Sequence, residues 1–134
     1  MKPFEFYSIK NHDDARGDSY SIPQEALDFV GQIDEIHYAT ILNSAVRGNH
    51  YHTEKKEATI ITYSDKMRIA WKTMDSEEIT RQDFEGKGAI VIQVQPNVVH
   101  AIQNLGAEPM SIISFSNMRY NPQNPDTFRE ILLK

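Results

Sequence analysis

His50 and His52 stand one residue apart, Glu57 follows closely, and His100 returns far along the chain. Imidazole nitrogens and carboxylate oxygens are the donors that hold borderline transition metals, and an ion needs each ligating nitrogen only ~2.0–2.1 Å away. On a strand, residues two apart share one face, with side chains rooted about 7 Å from each other. His-x-His therefore offers two convergent imidazoles. A carboxylate from the next segment and a third imidazole from a distant one complete a mixed nitrogen and oxygen set. The chain has no cysteine, so thiolate ligation and a disulfide framework are both excluded. The expected occupant is one divalent transition metal, and Zn, Fe, Ni and Mn all suit these donors.

Glu54 has the parity of the two histidines and rivals Glu57 as the carboxylate ligand. Residues 53–56 are polar and charged, as a turn would be, which makes Glu57 the first residue of the returning strand and favours it. A neighbouring antiparallel strand would bring Glu57 within ~5 Å of the histidines. The bland alternative is a pair of surface histidines on a solvated strand. Against it stands His100, which follows the Pro96-Asn97 turn between two apolar segments and so returns to the interior. His12 and His37 lack such company and read as structural or substrate-facing residues.

The elements that must position these groups are strands. Phe4, Phe6 and Ser8 alternate with Glu5, Tyr7 and Ile9, and Met67, Ile69, Trp71 and Thr73 alternate with Lys66, Arg68, Ala70 and Lys72. Residues 57–63, 89–94, 98–103 and 111–115 are short runs rich in Ile, Val and Thr. Turn residues separate them: Ser64-Asp65, Asp75-Ser76, Glu85-Gly86-Lys87-Gly88, Pro96-Asn97 and Gly106-Ala107-Glu108-Pro109. Residues 23–30 alone read as a helix. Asn121-Pro122-Gln123-Asn124-Pro125 forms a rigid turn before a final apolar segment, 127–133, expected to dock on the body. Trp71 and the phenylalanines read as core aromatics. Many short strands at near-regular spacing predict an all-β sandwich or barrel.

The 134 residues are the size of one domain, 1–134, with a real core. The chain has no apolar run long enough to span a membrane, and its first residues lack a signal-peptide stretch. Together with the absence of cysteine this fits the cytoplasm. A net charge of −5 argues against a nucleic-acid partner. It leaves room for a phosphorylated small molecule, which one or two arginines suffice to bind.

The two segments resemble the paired motifs of the cupin superfamily, His-x-His, four residues, Glu, and then His, three residues, Asn. His50, His52, Glu57, His100 and Asn104 fall on those positions. Ser44 and Ser64 stand where the first motif usually has glycine, and Gln95 and Asn97 replace the Pro and Gly of the second motif's turn. Asn97 tolerates the left-handed conformation that such a turn needs. The resemblance implies an all-β double-stranded β-helix, or jelly-roll, cupin barrel with at most one or two short helices. It implies the metal ligands His50, His52, Glu57 and His100, with Asn104 tying a loop together.

Within that superfamily, Asp14-Ala15-Arg16-Gly17, Arg47-Gly48-Asn49-His50-Tyr51 and Tyr120-Asn121-Pro122 resemble elements of the RmlC-like dTDP-ketosugar epimerases and isomerases. Arg47-Gly48-Asn49-His50 with Pro125-Asp126-Thr127 is similar to the cupin domain fused to a reductase in bacterial capsule-sugar synthesis. The resemblance implies a nucleotide-ketosugar substrate bound by Arg16 and Arg47, whose planar forks suit a diphosphate. Tyr120 is the implied proton donor. A base would remove the proton next to the carbonyl and an acid would return one, which epimerises or isomerises the sugar. His at position 52 draws His50 toward the metal and leaves the base unassigned, with Glu54 one candidate. A non-catalytic binding module and an Fe(II)-dependent dioxygenase are the alternative functions. The resemblance also implies a homodimer, in which Phe4-Glu5-Phe6-Tyr7 either joins a neighbour's sheet or closes its own.

Overall fold

A computed structural model describes residues 2–134. Ten strands and one helix follow one another along the chain: β1 Phe4–Ile9, α1 Gln24–Val30, β2 Glu35–Ile41, β3 Val46–Tyr51, β4 Glu57–Tyr63, β5 Lys66–Thr73, β6 Thr80–Glu85, β7 Gly88–Val94, β8 Val98–Asn104, β9 Met110–Ser116 and β10 Phe128–Arg129. They form two five-stranded antiparallel sheets, ordered β1-β7-β4-β9-β2 and β10-β3-β8-β5-β6. Among the described residues, β5 and β6 are the only consecutive strands that pair with each other. From β2 to β5 and from β6 to β10 the chain crosses between sheets at every step, which is how a jelly roll is wound. The two sheets face one another without closing into one continuous ladder, since β1 and β2 remain edges.

Period-two alternation places the core between the sheets. Phe4, Ile61, Ile69, Ile90, Ile92 and Ile102 are among its buried residues, and Trp71 stacks on Phe4 with ring centroids 4.5 Å apart. Both outer faces are partly covered as well, so several strands are apolar on both sides. Helix α1 lays Ala26 and Val30 over Ala58, Ile60 and Val91. The C-terminal segment lays Leu132 and Leu133 over Ala70, Val99 and Ala101 on the other sheet, as expected for a docking tail. Lys72 faces outward by parity yet is buried beneath that tail, where it pairs with Glu130 at 2.7 Å.

Phe4-Glu5-Phe6-Tyr7 closes the chain's own sheet, pairing with β7 from Phe4↔Val94 onward. Asn97 takes the left-handed φ of 66° that its turn requires. Asn104 is buried and ties its loop together, donating to the carbonyls of Ile41 (2.9 Å) and Glu108 (2.7 Å) and accepting from the Gly106 N–H (2.8 Å). No helix among the described residues is long and apolar enough to cross a membrane.

Candidate metal centre

Strands β3 and β8 lie side by side, with His50 directly opposite His100. The ladder is interrupted between Gly48 and His50, where Asn49 takes a φ of 55°. The bulge makes the ends of Asn49 useful. Its side-chain oxygen accepts the N–H groups of Leu132 (2.9 Å) and Leu133 (3.1 Å), and its amide donates to the Leu133 carbonyl (2.9 Å). The C-terminal tail is thus tied to the residue preceding His50. Gly48 is required for close approach, because a Cβ there would sit 2.6 Å from the His100 carbonyl oxygen, at a φ of +93°.

His52 lies just past the end of β3, and its ring still converges with those of His50 and His100. One ring nitrogen from each of the three lies within 4.8 Å of the other two. Ligands of one ion at ~2.1 Å lie at most ~4.2 Å apart, so small rotations of the imidazoles bring the set to ligating distance. Glu57 completes it, with carboxylate oxygens 3.8 Å from His52 Nε2 and 3.7 Å from His100 Nε2. It begins β4 as expected, but it does not sit on the strand beside the histidines. β4 belongs to the facing sheet, so the carboxylate arrives from across the interior. The physical reason is the crossover: residues 53–56 carry the chain from one sheet to the other. Glu54, the rival ligand and candidate base, is exposed on that crossover and does not line the cavity.

The histidine tautomers follow from their partners. A backbone carbonyl can only accept, so His52 Nδ1–H donates to the Asp126 carbonyl at 2.5 Å and His100 Nδ1–H to the Val98 carbonyl at 3.0 Å. In the neutral ring each Nε2 presents a lone pair inward, and that of His52 is buried with no hydrogen-bond partner. Burial and the neighbouring His100 and His52 push His50 down to about 3, and burial likewise lowers His52, so both are neutral near pH 7. Burial alone would raise Glu57, and the imidazoles around it, His100 foremost, lower it only insofar as they carry a proton. Inward lone pairs facing a largely enclosed carboxylate repel it unless a cation lies between them. The donor set therefore fits a divalent transition metal.

Residue pattern alone did not reveal the support behind His52. The Asp126 carboxylate accepts the N–H groups of Thr53 (2.8 Å), Glu54 (2.8 Å) and Lys55 (2.9 Å) and the Thr53 hydroxyl (2.6 Å), which fixes the whole crossover turn. The Pro125-Asp126-Thr127 element marked the position without revealing its role.

The four donors line a cavity of about 600 Å³ between the sheets, together with Glu35, His37, Arg47, Lys55 and Tyr120. Arg47 reaches it with Nε donating to the Thr40 carbonyl at 2.8 Å. Tyr120 stands at its mouth, 55 % exposed, with its N–H donating to Glu35 Oε1 at 3.1 Å. His37 proves to be cavity-facing. Arg16 is not brought to this cavity by its own chain. Its side chain is 90 % exposed and forms a bidentate pair with Asp14 in a separate surface hollow that also contains His12. The reason is local: the Asp14–Gly17 bridge folds the arginine back onto its own turn.

Similar proteins are consistent with this architecture. Residues 12–128 match the family described as polysaccharide biosynthesis C-terminal domain. A UDP-2-acetamido-2,6-beta-L-arabino-hexul-4-ose reductase of Pseudomonas aeruginosa is 23 % identical over 91 % of this chain, which spans only 31 % of that protein. The capsular polysaccharide assembling protein CapF of Staphylococcus aureus superposes with a TM-score of 0.65 at 25 % identity, covering 93 % of this chain and 33 % of CapF. The 3,4-ketoisomerase QdtA of Thermoanaerobacterium thermosaccharolyticum, solved with TDP-4-keto-6-deoxyglucose, superposes with a TM-score of 0.69 at 16 % identity, covering 97 % of this chain and 89 % of QdtA. The chain thus spans about a third of the reductase and of CapF but most of QdtA. With its cupin fold and this match over most of its length, the chain belongs to the polysaccharide biosynthesis C-terminal domain family.

Proposed function

We propose that the chain is a metal-dependent epimerase or isomerase of a nucleotide-activated ketosugar in polysaccharide biosynthesis. The observation that carries the reading is the convergence of His50, His52, His100 and Glu57 inside a cavity large enough for a sugar. A bound divalent metal would supply Lewis acidity toward a carbonyl oxygen. The chain's own residues do the rest. Arg47 keeps its Nη groups free of other partners among the described residues, available to an anionic part of the ligand. His37 lines the cavity and is chemically suited to take the proton beside the carbonyl. Tyr120, which lines the same cavity, is the candidate to return one. The QdtA and reductase likenesses support a nucleotide-sugar ligand.

Incubating the metal-loaded chain with a panel of nucleotide-ketosugars in deuterated water tests this. Deuterium at a carbon next to the carbonyl supports it, and no incorporation with any member of the panel removes it. The exposure of Tyr120 favours a non-catalytic binding module as the second reading, which predicts affinity without exchange. Pairing of two copies fits the exposed Ile36, Tyr38 and Leu42 on and beside edge strand β2. Light scattering at twice the chain mass supports the homodimer, and the mass of a single chain contradicts it.

A further inference from the structure

Lys55 is 8 % exposed, and lysine is seldom buried to that degree without a counter-charge. Its backbone is fixed, because its N–H donates to the Asp126 carboxylate at 2.9 Å. Its ammonium makes no hydrogen bond or ion pair among the described residues. The side chain lines the histidine cavity and also an adjoining hollow of about 250 Å³ that holds Arg119, Asn121 and Asn124. Tyr120 lines both as well, so Lys55 stands where the two spaces meet.

Every acidic group that lines either space is committed elsewhere. Glu57 faces His52 and His100. The Asp126 carboxylate is taken by the crossover turn. Glu35 serves the Tyr120 N–H and Arg119, and Asp34 accepts from Gln32. Each of these carboxylates already has a partner and none pairs with this ammonium, which opens into the cavity with room for an anionic oxygen of a ligand.

We propose that Lys55 is the anion-binding residue of the site, its ammonium taking an anionic oxygen of the ligand. Two oxygens of a nucleotide-ketosugar have that chemistry. One is a phosphoryl oxygen of the diphosphate. The other is the carbonyl oxygen, which becomes an enolate oxygen when the adjacent C–H proton leaves for the base, the C–H pair forms a carbon–carbon double bond and the carbonyl π pair moves onto oxygen. The second source rests on the isomerase reading, and the first requires only that the cavity binds a phosphorylated ligand.

The test uses the full metal-loaded chain and its Lys55→Gln and Lys55→Arg variants, with Lys55→Met in place of Gln should that variant fail to fold. Metal content and melting temperature are checked first. Inorganic pyrophosphate and a nucleoside diphosphate are then titrated by calorimetry, and deuterium exchange into a nucleotide-ketosugar is followed. A charge-assisted hydrogen bond predicts that Lys55→Gln loses about 10- to 100-fold, with Lys55→Arg retaining more. Loss of diphosphate affinity assigns the phosphoryl oxygen. Unchanged affinity with a lower kcat for exchange assigns the enolate oxygen. Lys55-dependent pyrophosphate binding without exchange of any ketosugar keeps the proposal and removes the isomerase reading. Affinities and exchange that are the same in wild type and Lys55→Gln overturn it, as does a wild-type chain that neither binds these anions nor exchanges.

Discussion

The Nδ1–H of His52 donates to the backbone carbonyl of Asp126 at 2.5 Å, joining two residues 74 positions apart. The same Asp126 holds the turn after His52 with its carboxylate. One residue near the end of the chain therefore orients an imidazole with its main chain and fixes the following crossover with its side chain. Outer partners of this kind typically change metal affinity about 10- to 100-fold.

Asp126→Ala is expected to leave three backbone N–H groups and one hydroxyl without their acceptor. Water reaches some of them, so the expected loss is about 1–3 kcal/mol in chemical denaturation. Metal affinity, measured by competition with a chelator, should fall about 10-fold or more. Unchanged values of both would show that the clamp is incidental.

Gly48→Ala should be among the most damaging single changes. Its Cβ would meet the His100 carbonyl oxygen at 2.6 Å, with a φ of +93° that alanine resists. Either β3 and β8 separate or the bulge before His50 shifts, and both displace ligands. A loss of about 2 kcal/mol or more in stability, together with reduced metal content, is expected. A variant with wild-type metal content and melting temperature would contradict the packing described.

Stability of the metal-free chain should fall as pH falls. Burial and its histidine neighbours hold His50 at about 3 in the folded state, against ~6.5 when unfolded. A lowered histidine leaves the unfolded state binding more protons in that window. Stability is therefore fully present above pH ~6.5 and declines toward pH ~3. Burial would raise Asp126, but Thr53 and the turn N–H groups hold it at about 2. Its contribution is present above pH ~4 and is lost as pH falls through the folded value. Melting curves in chelator from pH 7 to 4 should slope downward, and His50→Gln should flatten the limb. A flat wild-type profile would contradict the buried, neutral His50.

The histidine set was legible because His-x-His and a third histidine after a turn are local signals. Residues 57–63 form β4 as expected, with Glu57 at its start. The route by which Glu57 arrives was not legible, since alternation tells which residues share a face but not which sheet a strand joins. Arg16 carried a motif that suggested a ligand contact, yet an aspartate two residues earlier captures its guanidinium. Lys55 and Asp126 were missed for a common reason. Lys55 sits in a polar stretch that reads as a turn and Asp126 directly follows another, and only the docking of the C-terminal tail onto β3 brings one beside the other.

Glu57→Gln keeps the shape of the carboxylate and removes its charge. With three neutral nitrogens remaining, a divalent ion loses its anionic ligand, and affinity should fall about 10- to 100-fold. The metal-free variant should fold at least as well as wild type, because a carboxylate facing inward lone pairs is a cost without the ion. Tight binding retained in this variant would show that Glu57 does not ligate.

His50, His52, His100 and Glu57 are expected to share one ion. Crystals of the chain purified without added metal, measured with anomalous scattering at the transition-metal edges, decide this. One anomalous peak per chain, within bonding distance of all four side chains, is the expected result. A crystal soaked in zinc that shows no peak there, or peaks only at surface histidines, would contradict it.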